Sequence, residues 1–570
     1  LLKSAADIDV AEGWNRVGDG FKLNLKMAND IVYKAEPGKY IFNTSNWVDG
    51  NFNGDGHVLT IEMSDLGNYA SFIPQHTGVF ENVIMHGSIS TNGQYAGSIS
   101  GEGRQAAVRN VYSDINITSS RVGDNTSGGL FGMIRTGKNI DNCIYAGTFT
   151  LPGQEGGAHC ARVGGVAGWT HATTYVTNCA ILGKFIGAGD QTFDDDTENS
   201  QNIARNPGNI VAKNVYVLNP ITGNAVSDHD KYTKIENPES VANGELAFLL
   251  NEGKNGVENF YQLIGKDPQP MPIAKDGAKV YSKADSYTCD GKPQGNISYV
   301  NEEIVPELPA HEFEDGVCKN CGNLDTDKDG YNKITSAKSL ARFSALVNAG
   351  KTDMKVRMYD DVDMLGVDYA TAGNTGKIFT GEFDGTNHVL SNLSVNGGDY
   401  TGLIGVIGDG AVVKNFVLDK SCSINGNAFV GAIGGTNGSG HVYISNIGNE
   451  GNVTGTAQNA SGILGVDMGG SMTLHINNCY VTGAIKGDRE SATICSWSND
   501  ASVVENCWSI ASIEGVYGNN TFTRGGTTVV NGYELEGIGT QNGDDHGKDR
   551  TMLISQDDIV SGKLCYEFKI

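Results

Sequence analysis

The chain has 570 residues, of which 78 are Gly and only 12 Pro, with 39% hydrophobic residues and a net charge of −25. So much Gly with so little Pro, and that share of hydrophobic residues, fits many tight turns between short strands better than disorder. The charge argues against nucleic acid or an anionic membrane surface as partner. No stretch approaches 18 continuous apolar residues, so no transmembrane segment is expected.

From the amino end, Ser4, Ile8, Val10, Trp14 and Val17 sketch a weak helix, followed by an extended segment ending at Ile31 and a Phe-x-Gly-x-x-His turn at Phe52–His57. A phrase then recurs: a small residue, any residue, an aliphatic, any residue and usually Gly. It stands at Gly97–Gly101, Gly128–Gly132, Gly164–Gly168, Thr401–Gly405, Gly431–Gly435 and Ser461–Gly465. An Asn inside an apolar strand pattern follows each phrase, at Asn110, Asn142, Asn178, Asn415, Asn446 and Asn478. From Thr401 to Gly431 is 30 residues, and from Gly431 to Ser461 is 30 again. A fixed period of this size means stacked supersecondary units that bury their apolar faces only against one another. About 30 residues suit a coil of three strands and three turns at about 3.3 Å per strand residue.

The fold expected is all-β, two right-handed parallel β-helix cassettes, each flanked by short capping helices. In that fold the repeated Asn is expected to stack as an inward ladder, and the repeated Gly to supply positive φ at corners and close approach of coils. The slot after the Asn holds Cys143, Cys179, Cys479 and Cys507, elsewhere Val83, Val111, Val215, Phe416 or Ile447. A slot shared by Cys and aliphatics is a buried one, so core packing is expected for these four thiols.

After the first run of coils, Asn237-Pro238 and NGELAFLLNEG (243–253) signal a helix. A polar stretch follows in which Cys289, His311, Cys318 and Cys321 offer three thiols and an imidazole, with a Cys-x-x-Cys knuckle. Such a set could close a tetrahedral zinc site without an open position. A disulfide among Cys289, Cys318 and Cys321, or reduced thiols, are the alternatives. Next, Asp325, Asp327, Asp329 and Gly330 spell the start of a calcium loop, but the twelfth position is Ser336, not Glu. A solvated acidic turn competes with calcium here.

The elements then repeat. Ser336 is an N-cap candidate before Leu340, Phe343, Leu346 and Val347, with Gly350 as the stop. Phe383–His388 matches Phe52–His57 at an offset of 331, and SGKLCYEF (561–568) echoes the helix after the first coils. Three segments are expected: a first cassette at 1–275, a linker at 276–330, and a second cassette at 331–570 that ends mid-pattern.

The phrases at Gly128–Gly132 and Thr401–Gly405, with Phe383–His388 and Ser561–Tyr566, resemble the GLUG motif of surface and secreted repeat proteins of gut Bacteroidetes and Firmicutes. The resemblance implies a bacterial, secreted or cell-surface location. Some such proteins are metalloproteases that cleave immunoglobulin A. This chain has no His-Glu-x-x-His, so that activity is not carried over.

For function, binding is expected over catalysis: a monomeric adhesin or module for glycans or for a host or bacterial surface protein. Trp169 and Trp497 share a repeat position beside His171 and Asn499, and aromatics next to polar groups can stack on sugars. Rings packed at coil corners are the structural alternative. A β-helix polysaccharide lyase or glycoside hydrolase would need paired carboxylates on neighbouring coils. Asp194, Asp195, Asp196 and Glu198, the set Asp360, Asp361 and Asp363, and the set Asp544, Asp545 and His546 are the acidic clusters available. A passive stalk is the third reading.

Overall fold

The computed structural model describes the chain outside residues 16–21, 105–106, 153–161, 188–199, 223–225, 274–276, 437–438, 467–470, 516–521, 538–550 and 569–570. The clusters at 194–198 and 544–546, and Val17, therefore lie outside the described residues. The chain divides into two compact units, residues 1–287 with 293–307 and residues 288–292 with 308–570. The stretch 276–330 is thus shared between them.

In the first unit, the apolar strands Phe80–Thr91, Ala107–Ser113, Asn139–Tyr145, Thr174–Ile181 and Ile210–Val217 lie side by side, all parallel. Equivalent residues step from Val108 to Ile140, Val176 and Ala212. A second row runs through Ile73–Thr77, Ser100–Arg104, Phe131–Ile134 and Ala167–Thr170, and a third through Asn116–Ser119, Thr148–Thr150 and Lys184–Ile186. Three strands per coil, joined only in parallel, make this a β-solenoid. The second unit repeats the pattern with Val412–Leu418, Ser439–Asn449, Ser471–Asn477, Val503–Ser509 and Thr528–Leu535. Inward residues of each coil pile into columns, each buried aliphatic or Phe contributing about 1.5–3 kcal/mol relative to exposure. Cys143, Cys179, Cys479 and Cys507 sit in those columns, at most 2% exposed.

The Asn residues form ladders, one in each unit. Asn110 donates to Asn82 (2.9 Å), Asn142 to Asn110 (3.2 Å), Asn178 to Asn142 (3.3 Å) and Asn214 to Asn178 (2.9 Å). In the second unit Asn415 donates to Asp384 (2.9 Å), Asn446 to Asn415 (2.7 Å) and Asn478 to Asn446 (3.1 Å). In the second unit Asn446 and Asn478 are exposed, so there the column runs along the outside of a bend and not inward, whereas in the first unit Asn178 is buried and its ladder neighbours are half-buried. Each of these Asn residues has φ between 51° and 62°. They supply the left-handed corner expected of Gly, because the short amide side chain tolerates that conformation. The phrase glycines answer to the second expectation, close approach: a Cβ on Gly132 would lie 2.3 Å from the Tyr95 carbonyl carbon, and one on Gly168 2.3 Å from the Ser127 nitrogen.

Five α-helices are found among the described residues: α1 (Ala5–Asn15), α2 (Glu245–Leu250), α3 (Ala337–Asn348), α4 (Gln556–Val560) and α5 (Lys563–Glu567). Ser336 caps α3 through a reciprocal bond with Ser339, and Leu340, Phe343, Leu346 and Val347 enter the core of the second unit as their spacing requires. On the first unit, α2 and the segment through Ile273 cover an outward row of the main sheet. Ile84, Tyr112, Ile144 and Ala180, each two residues after a ladder Asn, pack under Leu246, Leu250 and Phe260. No helix among the described residues is long and apolar enough to cross a membrane.

Candidate functional site

Cys289 lies in the turn 288–292, where Thr288 N–H bonds the Lys292 carbonyl at 2.9 Å. His311, Cys318 and Cys321 come from a small antiparallel ribbon in which Phe313–Glu314 pairs with Val317–Cys318. Left-handed Gly316 and Gly322 turn the ribbon, and the Gly322 N–H bonds back to the Cys318 carbonyl at 2.9 Å. The ribbon is fastened to α3: the Ser336 hydroxyl donates to the Asp315 carbonyl at 2.7 Å and Arg342 Nε donates to the Gly322 carbonyl. Val317 and Leu324 join the core that holds α3.

This fastening brings four donor atoms together, all within 4.8 Å of one another. Cys289 Sγ is 3.5 Å from Cys318 Sγ, His311 Nδ1 is 3.4 Å from Cys318 Sγ, and Cys321 Sγ is 3.5 Å from His311 Nδ1. A tetrahedron with Zn–S of about 2.3 Å and Zn–N of about 2.0–2.1 Å has edges of about 3.5–3.8 Å. The spacing is far from the S–S bond length of about 2.05 Å, and the thiols are free. The backbone N–H of Cys321, followed by His311, pulls the Cys318 thiol well down, while burial pushes Cys289 up. A three-thiol, one-imidazole set can hold a soft divalent cation with all four positions taken by protein, which suits structure and leaves no place for substrate.

In the neighbouring acidic loop, the carboxylates are already engaged. Lys333 pairs with Asp325 at 2.7 Å, and Arg357 reaches Asp327 at 2.9 Å and Asp329 at 3.4 Å. Asp327 also accepts from the Tyr359 hydroxyl (2.6 Å) and the backbone N–H groups of Tyr331 and Asp329, and these bonds, Tyr359 first, hold its carboxyl down at about 2. A calcium ion bound here would have to displace two side-chain cations.

Trp169 and Trp497 play matching parts in the two units. The guanidinium of Arg205 lies 4.8 Å from the Trp169 ring, and that of Arg524 lies 5.1 Å from Trp497. Both arginines are almost wholly buried, so each pair packs a coil corner. Exposed His171 meets Trp169 edge-on at 5.8 Å. Asn499 builds a turn, accepting from Ala501 N–H and the Ser502 hydroxyl and donating to the Met472 carbonyl. Asp361 holds His388 Nδ1 at 3.0 Å and Val389 N–H at 2.9 Å, and Asp30 holds His57 and Val58 at 3.1 and 2.9 Å in the same way. Asp363 accepts from Asn392 at 2.8 Å. The second acidic cluster thus belongs to the coil framework.

One surface row escapes a reading of the sequence. Tyr443 and His475 pair directly on adjacent strands, their rings 4.8 Å apart and 9° from parallel, and His441 Nδ1 lies 3.0 Å from His475 Nε2. Tyr443 is 44% exposed. A signal for it does exist: both residues stand three before a ladder Asn, in an outward slot.

The chain is therefore a parallel β-solenoid protein carrying a compact Cys₃His cluster. No family model matches it. It is similar to Halomucin of Haloquadratum walsbyi, at 27% identity over 258 residues, which is 42% of this chain and 2% of that protein, so it spans a small fraction of that relative's length. It is also similar to a solved structure from Bacteroides ovatus described as a candidate immunoglobulin A1 protease, with 15% identity, a TM-score of 0.33, and coverage of 47% of this chain and 91% of the other.

Proposed function

We propose that the protein is a secreted or cell-surface adhesin-like module of two right-handed β-helix cassettes, about 1–275 and 331–570, that binds a glycan or a surface protein along its coil faces. The intervening stretch, 276–330, carries the metal. The extracellular placement rests on the GLUG-like phrases. The observation that carries binding is the exposed Tyr443–His475–His441 row: parallel rings on successive strands make a flat, rigid platform whose side-chain entropy is already spent in stacking. Trp169, His171, Trp497 and Asn499 then serve to fix the coil corners that such a face needs.

Cys289, His311, Cys318 and Cys321 hold one structural zinc ion in this reading. Support comes from convergence: a disulfide would use two of the thiols and leave His311 between sulfurs without a role. The test of binding is an array of glycans and extracellular proteins probed with the whole chain and with Tyr443→Ala/His475→Ala. Capture lost at least tenfold in the double variant supports the reading. Capture unchanged moves binding elsewhere, and no capture of any ligand leaves the stalk reading in its place.

A further inference from the structure

The first unit contains a cavity of about 390 Å³, lined among others by Asp30, His86, Asp114, Asp267, Gln269 and Met271. Ligand pockets run from about 300 to 1,000 Å³, so the space is of ligand size. It opens where the segment covering the outward row of the main sheet reaches the first coils. Its apolar floor is formed by Val58, Ile84 and Met271, which belong to one hydrophobic cluster.

Above that floor a connected set of polar side chains is held in place. Gln269 donates to the Tyr112 hydroxyl, which donates to Asp114 Oδ2 at 3.3 Å, while Asp114 Oδ1 holds His86 Nδ1 at 2.7 Å. Asp30 is fixed on another wall by Val58 N–H and His57. Asp267 accepts from Leu263 N–H at 2.7 Å, which fastens the segment bearing Gln269. Part of this is framework, since the Asp30–His57 pair recurs as Asp361–His388. The His86 bond to Asp114 is particular to this unit. In the ladder register His86, Tyr112 and Asp114 correspond to Asp419, Gly448 and Glu450 of the second unit. There Tyr480, one coil further on, donates to Glu450 at 3.1 Å and so repeats the Tyr112–Asp114 bond, but the position of His86 is taken by a carboxylate.

We propose that this cavity is a binding site for a neutral saccharide. This deepens the surface-binding reading and rests on it, but names a different place on the molecule from the Tyr443 platform. Oriented carboxylate oxygens accept from sugar hydroxyls, and the amide and phenol groups can donate or accept. The apolar floor suits the C–H face of a pyranose. Three carboxylates around one opening disfavour uronic, sulfated or phosphorylated sugars. An aliphatic amine is the competing occupant, and the test separates it.

Methyl glycosides of neutral hexoses and their short oligosaccharides are titrated into the full chain carrying ¹³C-methyl Met, with glucuronate and butylamine as charged probes. The Met271 methyl signal, assigned through Met271→Leu, is followed. A neutral glycoside should shift that signal saturably, and Asp114→Asn, Asp30→Asn and Gln269→Ala should weaken its binding at least tenfold, tenfold and threefold. Butylamine or glucuronate shifting the signal in preference to every neutral sugar overturns the proposal. So does neutral-sugar binding that leaves Met271 unmoved, or no neutral-sugar binding at all. Because the wild-type methyl signal reports directly, a variant that fails to fold does not protect the idea. Glycan capture that depends on Tyr443 while Met271 stays still would sink this site and leave the surface-binding reading standing.

Discussion

Gly132 lies against the backbone of Tyr95, a residue held left-handed at φ 66°, so that a Cβ on Gly132 would sit 2.3–2.5 Å from three Tyr95 backbone atoms. The same contact recurs between Gly101 and Tyr69 and between Gly465 and Phe429. Each corner turns left-handed and the next coil presses a glycine onto it. Gly132→Ala should therefore lower stability by about 1–3 kcal/mol, the usual range for overpacking. Gly208, with open space where its Cβ would be and no positive φ, is the control: Gly208→Ala should leave the melting temperature within about a degree of wild type. Thermal melts of the two variants decide the matter, and equal melting temperatures would refute the contact argument.

The ladder Asn residues contribute in two ways that substitutions can separate. Asn142→Gly keeps the left-handed corner (φ 54°) and removes the bonds to Asn110 and Asn178; Asn142→Ala removes both. The alanine variant should lose about 1–2 kcal/mol more than the glycine variant, the cost of a left-handed Cβ. Urea unfolding curves measure the difference. Equal losses would mean that only the amide matters.

Zinc content is read by elemental analysis of protein purified without chelator. One equivalent per chain is expected, falling to a small fraction in Cys318→Ser/Cys321→Ser. Chelation should lower the melting transition of the second unit, since Val317 and Leu324 join the ribbon to its core. Zinc-free protein with a Cys289–Cys318 crosslink in mass spectrometry would favour the disulfide.

Lys138 is 2% exposed, faces the Phe131 ring at 4.8 Å and has no hydrogen-bond partner for Nζ among the described residues. Burial pushes its pKa down to about 8 from an ordinary value near 10.5. A lysine with a depressed folded value binds its proton less tightly when folded, so stability rises with pH between about 8 and 10.5 and the penalty is full below 8. Lys138→Met should stabilise the first unit at pH 7 by about 3 kcal/mol, since each tenfold loss of proton affinity costs about 1.4 kcal/mol, and it should flatten that slope. Melts from about pH 7 to about pH 10 test both.

The winding of the backbone was legible because it depends on period and on a shared buried slot: Cys143, Cys179, Val111 and Val215 fall where the spacing requires. The roles within a coil were harder. Asn and Gly both reach left-handed φ, and only the contacts of Gly132 and Asn142 show which residue turns the corner and which admits its neighbour. The Cys289–Cys321 set could be named from residue type, but its convergence depends on a turn and a ribbon joined through α3. The cavity at Asp114 was invisible, because Gln269 and Tyr112 stand 157 positions apart and meet only when a later segment folds back over the sheet.

At the carboxyl end of the first ladder, Asn214 also donates to the Leu249 carbonyl of α2, and its own oxygen accepts from the Tyr216 hydroxyl at 2.8 Å. Every interior rung gives one bond backward and takes one from ahead, so an interior coil is interchangeable with its neighbours and the terminal one is not. A coil added beyond Asn214 would therefore have to displace α2 from that amide, whereas a coil inserted between two interior rungs would meet the same pair of bonds on either side.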